Sequence, residues 1–148
     1  MKTRIISSKL THNIREKVLW PHITDGNYSI SADNDKDSFH LGVFLNEKLI
    51  SIGTFMQDNN PKFNCKLQYR LRAMATDENY RKIGAGKNLF LKGVEILKNN
   101  NTELLWCDAR MIAIPFYKSM NMKSLPETYN IPHIGAHKTM YIYLKSVK

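Results

Sequence analysis

Residues 67–76, LQYRLRAMAT, run through Asp77-Glu78-Asn79-Tyr80 into Arg81-Lys82-Ile83-Gly84-Ala85-Gly86, and the fold turns on how that junction is read. In the first run Leu67, Tyr69, Leu71 and Ala73 alternate with Gln68, Arg70, Arg72 and Met74, the period-two pattern of a half-buried strand. Asp77 and Glu78 supply turn and cap chemistry. Beyond the glycines, Leu89, Phe90, Gly93, Val94, Ile96 and Leu97 recur at spacings of three and four. That spacing predicts a helix from about Ile83 to Lys98 with one face inward, stopped by Asn99-Asn100-Asn101.

Two glycines one residue apart, bracketed by cations, thus stand where a strand hands over to a helix. Glycine lets backbone approach a ligand closely, and the first turn of a helix carries unpaired N–H groups at the positive end of a dipole. Together they make an anion site, to which Lys82 and Lys87 add charge. A Walker A loop would need glycine at 81 and Ser or Thr at 88, where Arg81 and Asn88 stand; a dinucleotide fingerprint would need a third glycine at 89, where Leu89 stands. Both nucleotide patterns fail by residue.

At 148 residues, with 43% hydrophobic content, the chain is expected to form one domain over residues 1–148 around a single core. It holds no apolar run of membrane-spanning length, and residues 1–10 (MKTRIISSKL) lack the apolar stretch of a signal peptide. A soluble cytoplasmic protein without a membrane partner is therefore expected. Cys65 and Cys107 show no metal-ligand spacing and fit a reducing compartment, so no metal is expected. The net charge of +9 favours polyanionic partners without choosing among them. No basic helix, zinc spacing or aromatic RNA-binding motif favours nucleic acid.

Elsewhere, residues 2–7 read as a short strand, and Thr11 as the cap of a helix running to Leu19 with Ile14, Val18 and Leu19 inward and Pro21 beyond it. Residues 25–38 (DGNYSISADNDKDS) carry turn formers and no periodicity, hence a loop. Residues 39–45 and 49–56 flank Asn46-Glu47-Lys48 as a hairpin. Residues 104–107 (LLWC) read as a buried strand, 112–120 as a short helix with Pro115 in its first turn, and 138–144 as a closing strand. Strand, helix, strand around the glycine loop requires a parallel crossover beside an antiparallel meander. The fold class is α/β, a mixed, mostly antiparallel sheet flanked by helices.

The pattern Arg-x-x-Gly-x-Gly after a strand resembles the GCN5-related N-acetyltransferase (GNAT) superfamily. Three further observations are similar to it: the element order, the segment WCDARMIAIPFY at 106–117, and stretches at 14–21, 39–43, 68–76, 105–110 and 131–140 that resemble a branch of small members. The resemblance implies acetyl-coenzyme A as donor, its pyrophosphate on Arg81, Lys82, Ile83, Gly84, Ala85, Gly86 and Lys87. Its pantetheine would pair with Met74, Ala75 and Thr76 as an added strand, with Arg110 and Phe116 grouped with the same cofactor set. It further implies a backbone N–H near the start of that strand as oxyanion donor, direct attack by a primary amine, and Tyr117 as the acid that protonates the leaving thiolate.

The proton of the amine needs a base, for which His137, Glu127, Asp108 and Tyr69 are candidates, His137 first because its ordinary pKa suits neutral pH. Arg15, Tyr69 and His133 are grouped with the acceptor, a small-molecule or protein amine; a homodimer is left open. Departures from the branch are Trp20 for Arg, Ala73 for Gly, Asp108 for Asn, Asn121-Met122 for Gly-Phe and Ala136 for Pro. Two other readings remain at this level. One is a non-catalytic acetyl-CoA binding module, and the other is a basic nucleic-acid-associated protein.

Overall fold

In the computed structural model, which describes residues 1–145, the apolar runs around Asn46 and Glu47 fold back on each other as β2 (Phe39–Leu45) and β3 (Lys48–Gln57). Asn46 and Glu47 both take positive φ, 48° and 70°, the two-residue primed turn whose twist matches a hairpin. Lys48 therefore belongs to the strand and not to the turn. β1 (Lys2–Ile6) lies antiparallel on β2, and β4 (Gln68–Thr76) antiparallel on β3.

The expected parallel crossover is present: β4 leads through the glycine loop into α2 (Ala85–Asn99) and on to β5 (Leu104–Arg110), which pairs parallel with β4. β8 (Gly135–Tyr143) lies antiparallel on β5. Two short strands, β6 (Lys123–Ser124) and β7 (Tyr129–Ile131), both pair with β8. They are too short to show periodicity, so only their partner defines them. The described residues form one sheet of order β1-β2-β3-β4-β5-β8-β6 with β7 on β8. This is a mixed, mostly antiparallel α/β fold.

α2 begins two residues later than its apolar pattern predicts, because Gly84 takes φ 89° and a left-handed residue cannot continue a right-handed helix. Its Ala85, Leu89, Phe90, Gly93 and Leu97 face the core formed with Leu41, Phe55, Leu71 and Leu105. At Gly93 the edge of the Phe55 ring occupies the place where a Cβ would stand, so only glycine lets the helix seat this deeply. α3 (Ile114–Ser119) follows a 3-10 turn, with Pro115 in its first turn where no N–H is missed.

The first helical segment is irregular. A 3-10 turn (Ser8–Thr11) leads to a single α-turn, α1 (His12–Ile14), and then a π-helical stretch (Arg15–Leu19) closed by Trp20 N–H donating to Arg15 C=O at 2.8 Å. Thr11 does not cap a helix; its Oγ1 donates back to Ser8 C=O. The segment covers the sheet face opposite α2, with Ile14, Val18 and Leu19 against Ile52 and Ala75.

Candidate active site

The loop between β4 and α2 is built to leave backbone donors open. Asp77 is buried and its carboxylate accepts from Asn79 N–H at 3.0 Å, closing the turn Glu78–Tyr80. Lys82 and Gly84 then take φ 65° and 89°, and Arg81, Lys82, Ile83, Gly84 and Lys87 are exposed. The first helical bond at this end is Asn88 N–H to Gly84 C=O, 3.0 Å, so Ala85, Gly86 and Lys87 have no helical acceptor. A Cβ on Gly86 would press against Met74 Cε at 3.3 Å and Phe116 Cζ at 3.4 Å. The glycine therefore admits close packing of Met74 and Phe116 beneath an open N-terminus. Charge, dipole and unpaired N–H groups thus meet at this helix start.

Where β4 ends, the sheet opens. β4 and β5 pair only over Gln68–Arg70 and Leu104–Trp106. At this closed end Gln68 is fully buried, and its side-chain amide bonds with Asn60, Phe63 and Cys65 of the preceding loop. Beyond Arg70 the β5-side edge of β4 has no strand partner among the described residues. β4 also bulges: Arg72 pairs with Thr54 and Ala75 with Ile52, so Ala73 and Met74 together oppose Gly53, and Ala73 takes φ 51°. The extra residue reverses the side-chain phase. Leu71 packs with the α2 face, yet Ala75 packs with Ile14 and Ile52 on the opposite one, while Met74 turns toward Tyr117.

A cavity of about 290 Å³ fills the opening. β4 and β5 line it with Arg70, Arg72, Met74, Asp108 and Arg110, α3 with Tyr117, and the far side with Trp20, Ile131 and His137. Tyr117 is buried; its hydroxyl lies 3.7 Å from Met74 Sδ, and its ring packs on Phe116 and Phe90. Burial first, then Cys107, raises the phenol well above its ordinary pKa, while Arg110 acts to lower it. The phenol is thus protonated at neutral pH.

His137 stands directly opposite Arg110 in the β5–β8 ladder. The closing strand, expected from residue 138, begins earlier: residues 129–137 turn back as the β7–β8 hairpin, which puts His137 in a strand, buried. Its Nδ1 lies 2.7 Å from Gly135 C=O. A carbonyl only accepts, so Nδ1 carries a proton there and Nε2 is the ring nitrogen without a protein partner. The ring stacks on Tyr129, whose hydroxyl donates to Asp108. Burial and then that carboxylate raise Tyr129 to about 12. Asp108 also receives Arg70, which reaches Asp58 at 3.4 Å and lies over the Trp106 ring.

Residues 9–122 match the family model described as the acetyltransferase (GNAT) family. The chain belongs to this family. A relative, the uncharacterized N-acetyltransferase YitI of Bacillus subtilis (strain 168), is 36% identical over 146 residues, 99% of this chain and 98% of the relative. Among solved structures, an aminoglycoside 6'-N-acetyltransferase complexed with coenzyme A superposes at a TM-score of 0.79 with 8% identity, covering 100% of this chain and 99% of that one. The ribosomal-protein-S18-alanine N-acetyltransferase of Escherichia coli gives 0.73 with 15% identity, covering 99% and 96%. At such identities these two share the fold alone. Family membership makes this GNAT protein an acyltransferase.

Within that frame two expected acceptor residues are corrected. Arg15 is wholly buried: its guanidinium grips Asp33 with two bonds of 2.8 and 3.0 Å, and it also donates to Tyr28 C=O and Thr54 Oγ1. A side chain so engaged braces the 25–38 loop and presents nothing to a ligand. Tyr69 is buried on the α2 side and donates to Asp37 C=O at 2.8 Å, which also removes it as a base. Glu127 is exposed and paired with Lys62 outside the cavity, and Asp108 is committed to Arg70 and Tyr129. His133 is exposed, at φ 67°, its ring stacked 6.2 Å from His22; it stands beside the cavity residues Ile131 and Ile134 without lining the cavity. Arg72, Trp20, Ile131 and Ile134 were not singled out from sequence. For Arg72 a signal existed: an arginine at an alternating, half-buried strand position.

Among the described residues no group of three or more His, Cys, Asp or Glu side chains could hold a metal ion, and no helix is long and apolar enough to cross a membrane.

Proposed function

We propose that the chain is one catalytic domain that transfers the acetyl group of acetyl-CoA to a primary amine by direct attack. The observation that carries this reading is the opening of β4 from β5 beyond Arg70, a stretch that includes the Ala73–Met74 bulge and lies between the glycine loop on one side and Tyr117 and His137 on the other. Acetyl-CoA supplies an activated acetyl group and a good leaving group. The residues present fit it: open N–H groups and cations from Arg81 to Lys87 for a pyrophosphate, and the partnerless edge at Met74, Ala75 and Thr76 for the amide-bearing arm, flanked by Phe116 and Arg110. The oxyanion donor moves from the start of β4 to the bulge in its second half, where regular pairing lapses.

His137 Nε2 takes the proton of the attacking amine, directly or through water, and Tyr117 holds a proton for the leaving sulfur. Cys65 and Cys107 are free, which supports a cytoplasmic location. The test joins thermal shift with thiol release: acetyl-CoA raises Tm, as mass action requires of a ligand bound to the native state, and a panel of amines releases thiol. No shift far above micromolar acetyl-CoA removes the reading. A shift without turnover of any amine leaves only a binding module.

A further inference from the structure

Two guanidinium groups in the cavity, Arg72 and Arg110, have no counterpart among the described residues, and Arg110 is grouped with the donor. Arg70 and Arg72 alternate onto the same face of β4 and both line the cavity. Arg70 is answered by Asp108 and Asp58. Arg72 is half-buried, yet among the described residues it makes neither a hydrogen bond nor an ion pair. The carboxylates whose fields reach it are Asp108 and Asp58, the two that Arg70 already holds. Burial and then Arg70 act to discharge it. A guanidinium withdrawn from water and left unpaired is costly to the protein alone. It becomes favourable when a ligand brings the missing anion, because its planar fork binds a carboxylate with two parallel bonds.

Around Arg72 the walls are the apolar Leu19, Trp20, Ile131 and Ile134, and of the other charged groups lining the cavity Arg70 and Asp108 pair with each other while Arg110 is grouped with the donor. The backbone N–H array that a phosphate dianion prefers lies across the opening, at the glycine loop.

We propose that the acceptor is an amine that also carries a carboxylate, and that Arg72 binds this carboxylate while the amine faces His137. This rests on the acetyl-transfer reading and narrows its substrate class to amino acids and related amino carboxylates. Arg72 thereby acts as a specificity residue on the acceptor, distinct from the donor loop and from both proton-transfer groups.

The test compares matched pairs in the full chain: L-leucine with L-leucinamide, L-phenylalanine with L-phenylalaninamide, and 4-aminobutyrate with its amide, with O-phosphoethanolamine as a further arm. The α-amides carry the less basic amine and more free base at neutral pH, so any preference for the acids runs against intrinsic reactivity. The expected result is kcat/KM about tenfold or more higher for an acid than for its amide. Arg72→Gln should abolish the difference by raising KM for the acid alone, and Arg72→Lys should restore part of it. If no amine is turned over, the same pairs are read by thermal shift with coenzyme A present, where only the acids should raise Tm. Equal use or binding of acids and amides, equal loss of both in Arg72→Gln, or a preference for O-phosphoethanolamine overturns the proposal. Acetyl-CoA alone is measured in parallel. Loss of its thermal shift brings down the acetyl-transfer reading and this inference together, whereas an intact shift without discrimination brings down this inference only.

Discussion

The two sides of the β4–β5 opening are made by different means. On the proposed donor side, seven consecutive residues, Arg81 to Lys87, present backbone N–H groups; their chemistry depends on two glycines and a helix start. On the proposed acceptor side, the cavity is assembled from Trp20, Arg72, Asp108, Ile131 and His137, and the wall behind it is braced by buried charge, Arg15 on Asp33. A backbone site tolerates changes in its flanking side chains but not in its φ angles. A side-chain site shows the reverse, and it can change specificity without touching the donor.

The largest break should come on the acceptor side. Arg15→Ala strands Asp33 in the interior and should cost about 3–5 kcal/mol in denaturant unfolding, whereas the paired change Arg15→Met with Asp33→Leu should recover most of that loss. Equal destabilisation by both would show that the pair is not the brace. Next is Tyr117→Phe, which should lower kcat by about 10²-fold or more while leaving the acetyl-CoA thermal shift intact; unchanged turnover removes Tyr117 as the acid.

On the donor side Gly84→Ala forces a side chain into φ 89°. It should cost about 1 kcal/mol and raise KM for acetyl-CoA with the acceptor KM unmoved.

A pH titration separates the regions further. Burial, only partly offset by Asp33, lowers His40 from the ordinary 6.5, so its contribution to stability is present above 6.5 and declines as pH falls toward the folded value. Asp33 is pushed up by burial but brought below its ordinary 3.8 by Arg15 and Ile30 N–H. Its contribution persists below 3.8 and vanishes as pH drops through the folded value. His40→Gln should therefore flatten the stability curve just below pH 6.5 and leave the strongly acidic limb in place. The smallest effect is Ala73→Gly, which relieves a left-handed alanine at φ 51° against greater freedom in the unfolded chain, a net gain below about 1 kcal/mol in Tm-derived stability.

The same division explains what could be read from sequence. The glycine loop, α2 and the β2–β3 hairpin were legible because their signals are local: periodicity, turn residues, a broken helix start. Alternation also placed Arg70 and Arg72 on one face, but it could not foresee the Ala73 bulge, which inverts the phase of Met74 and Ala75 and depends on β3 across from it. Arg15 was grouped with the acceptor; its burial follows from Asp33, eighteen residues away in an aperiodic loop. His137 looked like a loop residue because β7 has only three residues and exists by virtue of β8.

The contact between Gly93 and Phe55 has a mechanical consequence for the glycine loop. Eight helical steps lie between Ala85 and Gly93, about 12 Å along the axis, so the bare backbone resting on that ring is a pivot and the loop is the end of its arm. A methyl group at 93 is a shim: it would lift the arm at a point far from any ligand and swing the loop away from the β4 edge. Position 93 thus sets the alignment of a loop it never touches.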